Sequence, residues 1–149
     1  MAHAENTVSI NRPVEEVFDF ILNGNNNPLW QEGITDIRLL QGKAPGAGAI
    51  YIQGARGPIG RRIDADYEIT ECESNRRIKF RVIAGPGRPT GTFEFESEAG
   101  STMLKFTLDF HLTGLAKLMN SVIQKKIEDQ VGALTKMKAL LEYEAPSTQ

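Results

Sequence analysis

The chain has 149 residues, 40% of them hydrophobic and 24% charged, with 17 Lys and Arg against 19 Asp and Glu for a formal net charge of −2. That is the make-up of one globular domain over residues 1–149, with an ordered core from about 4 to 143 and a flexible tail over 144–149. The balance leaves no basic excess for nucleic acid, no apolar run supports stable membrane insertion, and the N-terminus lacks a secretory signal, so a cytoplasmic protein is expected. One cysteine, Cys72, excludes an internal disulfide. With His3 and His111 it makes three scattered soft ligands, short of a structural zinc set, and His3 is expected in a frayed terminus. No metal or cofactor is expected.

Val8-Ser9-Ile10 alternates as the end of a first strand. Asn11-Arg12-Pro13 then starts a helix, with Asn11 as its expected cap, Pro13 in the first turn and Glu15 and Glu16 at the positive end of the dipole. Val14, Val17, Phe18, Ile21 and Leu22 share one face of that helix. The run Asn23–Pro28 stops it, and Pro28-Leu29-Trp30-Gln31 makes a short second helix or turn. From residue 34 the period changes to two. Strands are expected over 34–40, 49–53, 62–71, 77–83, 91–98 and 102–112, with glycine-rich loops between the early ones. Ser74-Asn75 and Ala99-Gly100 read as hairpin turns. The alternation implies an antiparallel sheet with one apolar and one wet face. On the wet face Asp64, Asp66 and Glu68 precede Arg77, Lys79 and Arg81, and Glu94 and Glu96 follow, which favours neighbouring strands in sequence order. Last comes an amphipathic helix from about Leu115 to Tyr143, its stripe including Leu115, Leu118, Met119, Val122, Leu134, Met137 and Leu141. Roughly 28 residues at ~1.5 Å each make ~42 Å, long enough to cross a sheet.

The fold class is therefore α+β: a seven-stranded curved antiparallel sheet wrapped around a long C-terminal helix, with two short helices after the first strand. The opening segment from Val8 to Ile21, the Pro28-Leu29-Trp30 that follows, and Gly114-Leu115 leading into a final helix that ends Leu140-Leu141-Glu142 resemble the SRPBCC superfamily, the START/Bet v-like helix-grip fold. Within it the chain looks most like the polyketide cyclase/dehydrase group. The resemblance covers residues 4–143 and implies a hydrophobic cavity between sheet and helix. Members bind lipids, sterols, polyketides or plant hormones there, and a minority catalyse cyclisation or dehydration.

Tyr67, Phe80, Phe93, Phe95, Phe106, Leu108 and Phe110 fall on the apolar parity of the sheet, as does Tyr51 on a shorter strand. Met119, Ile123 and Ile127 face them from the helix stripe. All are expected to pack the core or line the cavity, with Trp30 anchoring the short helix near its mouth or touching a ligand. The loop holding Arg56, Pro58, Arg61 and Arg62 is the candidate gate, its arginines available to an anionic head group. The loop Gly85–Pro89 should lie at the same end of the sheet. Asp109 and His111 have acid/base spacing but point to the wet face, so no catalytic residue is assigned. Lys117, Lys125, Lys126, Lys136 and Lys138 make a solvated helix face. The expected function is binding or transport of a small hydrophobic molecule by a monomer or homodimer. The alternatives are a polyketide aromatase/cyclase- or dehydratase-like enzyme, or a protein-interaction module without a small ligand.

Overall fold

A computed structural model describes residues 2–40, 45–85, 88–112 and 114–143, apart from the side chains of Pro58, Leu115 and Ala116. The expected tail over 144–149 and part of the Gly85–Pro89 loop, Pro86-Gly87, fall outside the described residues. Eight strands form one antiparallel sheet: β1 (Ala2–Ile10), β2 (Ile34–Leu39), β3 (Ile50–Arg56), β4 (Arg62–Asp64), β5 (Tyr67–Glu73), β6 (Arg77–Val82), β7 (Thr90–Glu98) and β8 (Ser101–Phe110). Seven follow the order β1-β8-β7-β6-β5-β3-β2, and β4 pairs with β3 beside them. The sheet is thus the expected meander of β2–β8, closed at one side by β1 against β8 from Ala2↔Phe110 to Ile10↔Thr102.

β4 and β5 replace the single strand expected over 62–71. The break at Ala65-Asp66 has a local cause. The Asp66 carboxylate, not a backbone carbonyl, accepts the Gln53 N–H at 3.0 Å, while Ala65 N–H donates to Gln53 O at 2.8 Å. A bulge between Ile69 and Glu71 then shifts the parity, so that Cys72 packs against the core and pairs with Ile78. On the wet face the expected charge pairing holds for Glu68 and Glu94, while Asp64 goes to Arg62, Asp66 to the Gln53 N–H, and Glu71 takes the place expected of them. Arg81 meets Glu68 at 2.9 Å, Arg77 meets Glu71 at 3.2 Å and Glu94 at 3.8 Å, and Lys79 meets Glu71 at 3.7 Å. Each such exposed pair stabilises by only about 0–1 kcal/mol. The loops after β3 and β6 lie at the same end of the sheet. There Gly85 passes so close to Asp64 that a Cβ would sit 1.9 Å from its carbonyl oxygen.

Two short helices follow β1: α1 (Val14–Leu22) and α2 (Asn27–Trp30). Pro13 occupies the cap position of α1 with no side-chain cap bond. Asn11 does not cap; its N–H donates to Glu142 Oε2 at 2.7 Å and its side chain accepts from Ser101. Val14, Val17, Phe18 and Ile21 are buried beneath α1.

The C-terminal helix is present but segmented. A 3-10 stretch, Gly114–Met119, leads into α3 (Asn120–Gly132), and after Ala133 comes α4 (Leu134–Tyr143). It runs along the outer edge strand and satisfies some of its polar groups. Gln124 bonds both the N–H and the carbonyl of His3, Asn6 Nδ2 donates to Val131 O, and Lys138 donates to Ser9 O. An edge strand so covered is poorly able to recruit another strand. Burial is graded along this helix. Ile127, Val131, Leu134, Met137 and Leu141 are buried, whereas Leu118, Met119 and Val122 are exposed, contrary to the continuous buried stripe expected. Among the described residues no helix is long and apolar enough to cross a membrane.

Candidate functional site

Alternation places one face of β5–β8 under α3, and the side chains of the two do not fill the space between them. A cavity of about 460 Å³ remains. Its floor is Tyr67 and Ile69 of β5, Ile78, Phe80 and Val82 of β6, Phe93 of β7, and Phe106, Leu108 and Phe110 of β8. Its roof is Met119, Ile123 and Ile127, spaced i, i+4, i+8 so that one helical face looks down. The aromatic floor is self-supporting. Phe93 stacks on Phe106 at 4.3 Å between centroids, and Phe80 lies within 5.9 Å of Phe93 and 5.6 Å of Tyr67. Phe80 can lie there because Gly91 of β7 has no side chain, since a Cβ would stand 2.2 Å from its Cζ.

One end of the cavity is polar. Asn27, at the start of α2, donates through Nδ2 to Gln53 Oε1 at 2.9 Å and to the Tyr67 hydroxyl at 3.0 Å. Gln53 also donates from Nε2 to Ala65 O. All three side chains line the cavity, and burial pushes the Tyr67 phenol well above its ordinary value, so it stays neutral. Gly24 closes over this group: a Cβ there would lie 2.2 Å from the Tyr67 oxygen and 2.8 Å from the Tyr51 ring. Asp64, Lys126, Gln31 and Gln130 complete the polar part of the wall.

A family model described as polyketide cyclase / dehydrase and lipid transport matches residues 1–142. The chain belongs to that family. Among curated proteins none matches it in sequence. Solved structures share its fold. The Zhui aromatase/cyclase from Streptomyces sp. R1128 has a TM-score of 0.78 at 16% identity, with 96% of this chain and 94% of that one covered. A START superfamily protein from Mycobacterium smegmatis has a TM-score of 0.71 at 15% identity, covering 95% and 99%. Ara h 8.0201, a Bet v 1-type protein, has a TM-score of 0.72 at 17% identity, covering 93% and 95%. The expected helix-grip architecture and its family are therefore found.

Against this family's architecture, nine of the expected wall residues do line the cavity: Tyr67, Phe80, Phe93, Phe106, Leu108, Phe110, Met119, Ile123 and Ile127. Trp30, Tyr51 and Phe95 do not. Phe95 has the inward parity but is covered by α1, meeting Phe18 edge-on at 5.1 Å. Tyr51 is fully buried, stacks on Tyr67 at 5.2 Å and donates to Leu22 O. Trp30 packs edge-on to Phe93 and Phe106, and its buried Nε1–H has no acceptor among the described residues. In the gate loop Arg56 and Arg61 are exposed and absent from the wall, and the side chain of Pro58 lies outside the described residues. Arg62 is not available to an anion. It clasps Asp36 through Nε and NH2 at 2.9 and 2.8 Å, and Asp64 through NH1 at 2.7 Å.

Asp109 and His111 do not pair as a catalytic couple. Asp109 instead meets His3 Nδ1 at 2.5 Å, and His3 lies in β1 rather than in a frayed end. Cys72 is half-buried and burial pushes its thiol up, which opposes reactivity. Sequence reasoning missed the amide pair. Gln53 carried a signal, because it shares the inward parity of Tyr51 two residues before it. Asn27 carried none, as one of several asparagines in the segment 23–27.

Proposed function

We propose that the protein binds and carries a small hydrophobic molecule in the cavity between sheet and α3. The observation that carries this is the cavity itself, about 460 Å³ walled mainly by aromatic and aliphatic side chains from the sheet and from α3. That volume is within the ~300–1,000 Å³ of ordinary small-molecule sites. The apolar wall favours an apolar ligand over water as its occupant.

Carriage is favoured over catalysis by the polar residues of the wall. Asp64 is engaged by Arg62, Lys126 is exposed on α3, and the buried polar set is two amides and a neutral phenol. Those groups can orient an oxygen but do not form an acid/base couple. The loop between β3 and β4, with Arg56 and Arg61 exposed beside wall residues Ile63 and Asp64, is proposed as the gate.

Native mass spectrometry of the protein as purified tests the proposal directly: a co-purified apolar mass is expected. Thermal melting with candidate lipids and polyketides is the second readout. A ligand at about 100 times its Kd adds about 2.7 kcal/mol, hence a rise of about 5–10 °C for a domain of this size. No bound mass and no shift with any apolar compound overturns it.

A further inference from the structure

The polar end of the cavity has unused hydrogen-bonding capacity of a definite kind. Both protons of Asn27 Nδ2 are taken, by Gln53 Oε1 and by the Tyr67 oxygen. The Tyr67 oxygen therefore acts as acceptor, and its own proton has no acceptor among the described residues. Asn27 Oδ1 accepts from no described donor. It is not among the buried unpartnered atoms, so it keeps some accessible surface, and Asn27 is a residue of the cavity wall. Asn27 and Tyr67 are only 8% and 9% exposed. Leaving such groups unpaired costs about 1–3 kcal/mol each, so an occupant able to pair them is favoured.

The two open groups are of opposite sense: a donor on Tyr67 and an acceptor on Asn27. A hydroxyl serves both, accepting from the phenol and donating to the amide oxygen. A ketone serves only the donor. A carboxylate does worse, because it would face Asn27 Oδ1 with no cation beside it. The only basic residue among the described wall residues, Lys126, stands exposed on α3. The one acidic residue among the described wall residues, Asp64, is engaged by Arg62.

We propose that Asn27, Gln53 and Tyr67 form a subsite for the hydroxyl of an otherwise apolar alcohol or phenol, which enters the cavity with that end innermost. The subsite rests on the carrier reading above and adds to it a ligand class and an orientation. Gly24 is part of the device, because its bare backbone presses on the phenol oxygen and fixes where the donor stands.

The test is displacement of a neutral apolar dye, N-phenylnaphthylamine, by four compounds of one ring system at neutral pH: a naphthol, acetylnaphthalene, naphthalene and a naphthoate. In the native protein the naphthol is expected to bind about tenfold more tightly than naphthalene, one to two neutral hydrogen bonds' worth, with acetylnaphthalene between them and the naphthoate weakest. Tyr67→Phe and Asn27→Leu should each cut the ratio of naphthol to naphthalene affinity to about threefold or less. Dye binding and melting temperature show that each variant is folded, and having two keeps the test alive if one is not. Equal binding of naphthol and naphthalene overturns the subsite and leaves the carrier intact, as does a preference that survives both substitutions. Failure of the dye and all four compounds to bind overturns the carrier itself.

Discussion

Gly91 shapes the cavity by what it lacks, and Gly91→Ala measures how much. The new Cβ would stand 2.2 Å from Phe80 Cζ, 2.3 Å from Cε1 and 3.1 Å from Leu108 Cδ2, so the ring must retreat about 1.2 Å to reach ordinary contact at 3.4 Å. It cannot retreat along the floor, where Tyr67, Phe93 and Phe106 stand with centroids 5.6–6.3 Å away. It must tip into the cavity. Overpacking of this kind costs about 1–3 kcal/mol, and the strand regains about 0.5–1 kcal/mol on losing a glycine. The net loss is about 1–2 kcal/mol, or about 2–8 °C in melting temperature, with weaker dye binding because the ring now occupies ligand space. Chemical denaturation of Gly91→Ala, Phe80→Leu and the double variant closes a thermodynamic cycle. Relieving the clash should return about 1 kcal/mol as coupling. A Gly91→Ala protein as stable as the native one, or a double variant showing no coupling, refutes the steric account.

Ile59, 95% exposed at φ 57°, ψ 26°, is a β-branched residue in the left-handed region. Ile59→Gly forfeits no burial and should stabilise by about 0.5–1 kcal/mol in denaturant titration, the strain relieved less the entropy of the freer unfolded chain. Asp36 is held near pKa about 2, first by the Arg62 guanidinium and then by the Thr35 hydroxyl. Its folded value lies below the unfolded one, so its contribution is present above 3.8 and is lost as pH falls from there toward 2; Asp36→Asn should remove that part of the acid dependence of unfolding. His3 is shifted the other way, raised above 6.5 by its bond to Asp109 and then by Glu5. Its contribution is complete below 6.5 and fades as pH rises through the folded value; ring resonances followed by NMR should titrate above 6.5 and move back down in Asp109→Asn.

How far the sequence reached follows from what periodicity encodes. A period of two tells which face of a strand is apolar, and β5–β8 with their floor residues were legible from that alone. It does not tell what covers that face. Phe93 and Phe95 share one parity of β7, yet Phe93 floors the cavity and Phe95 packs under α1. Only the path of the chain after β1 separates them. Nor does it register side-chain substitution in the ladder. Asp66 stands in a cleanly alternating run, and its carboxylate still ends one strand and starts another. The C-terminal stripe was legible as a helix but not as two, because the break at Ala133 interrupts hydrogen bonding without interrupting the apolar spacing from Val131 to Leu134. The buried amide pair escaped for a related reason: hydrogen-bond complementarity between residues 26 apart leaves no local pattern.

The grading of burial along the C-terminal helix bears on how a ligand comes and goes. The roof of the cavity is the half with few anchors, with Met119 exposed and Ile123 half-buried, whereas Val131, Leu134, Met137 and Leu141 are buried and do not line it. A segment with little buried apolar contact opens at a small fraction of the free energy of global unfolding. On the proposed carrier reading, the first turns of α3 can lift while α4 stays docked, and exchange of a ligand need not disturb the sheet. Occupancy should then be readable in amide hydrogen exchange. Protection over residues 117–126 should rise when the cavity is filled, whereas that over 134–141 should scarcely change.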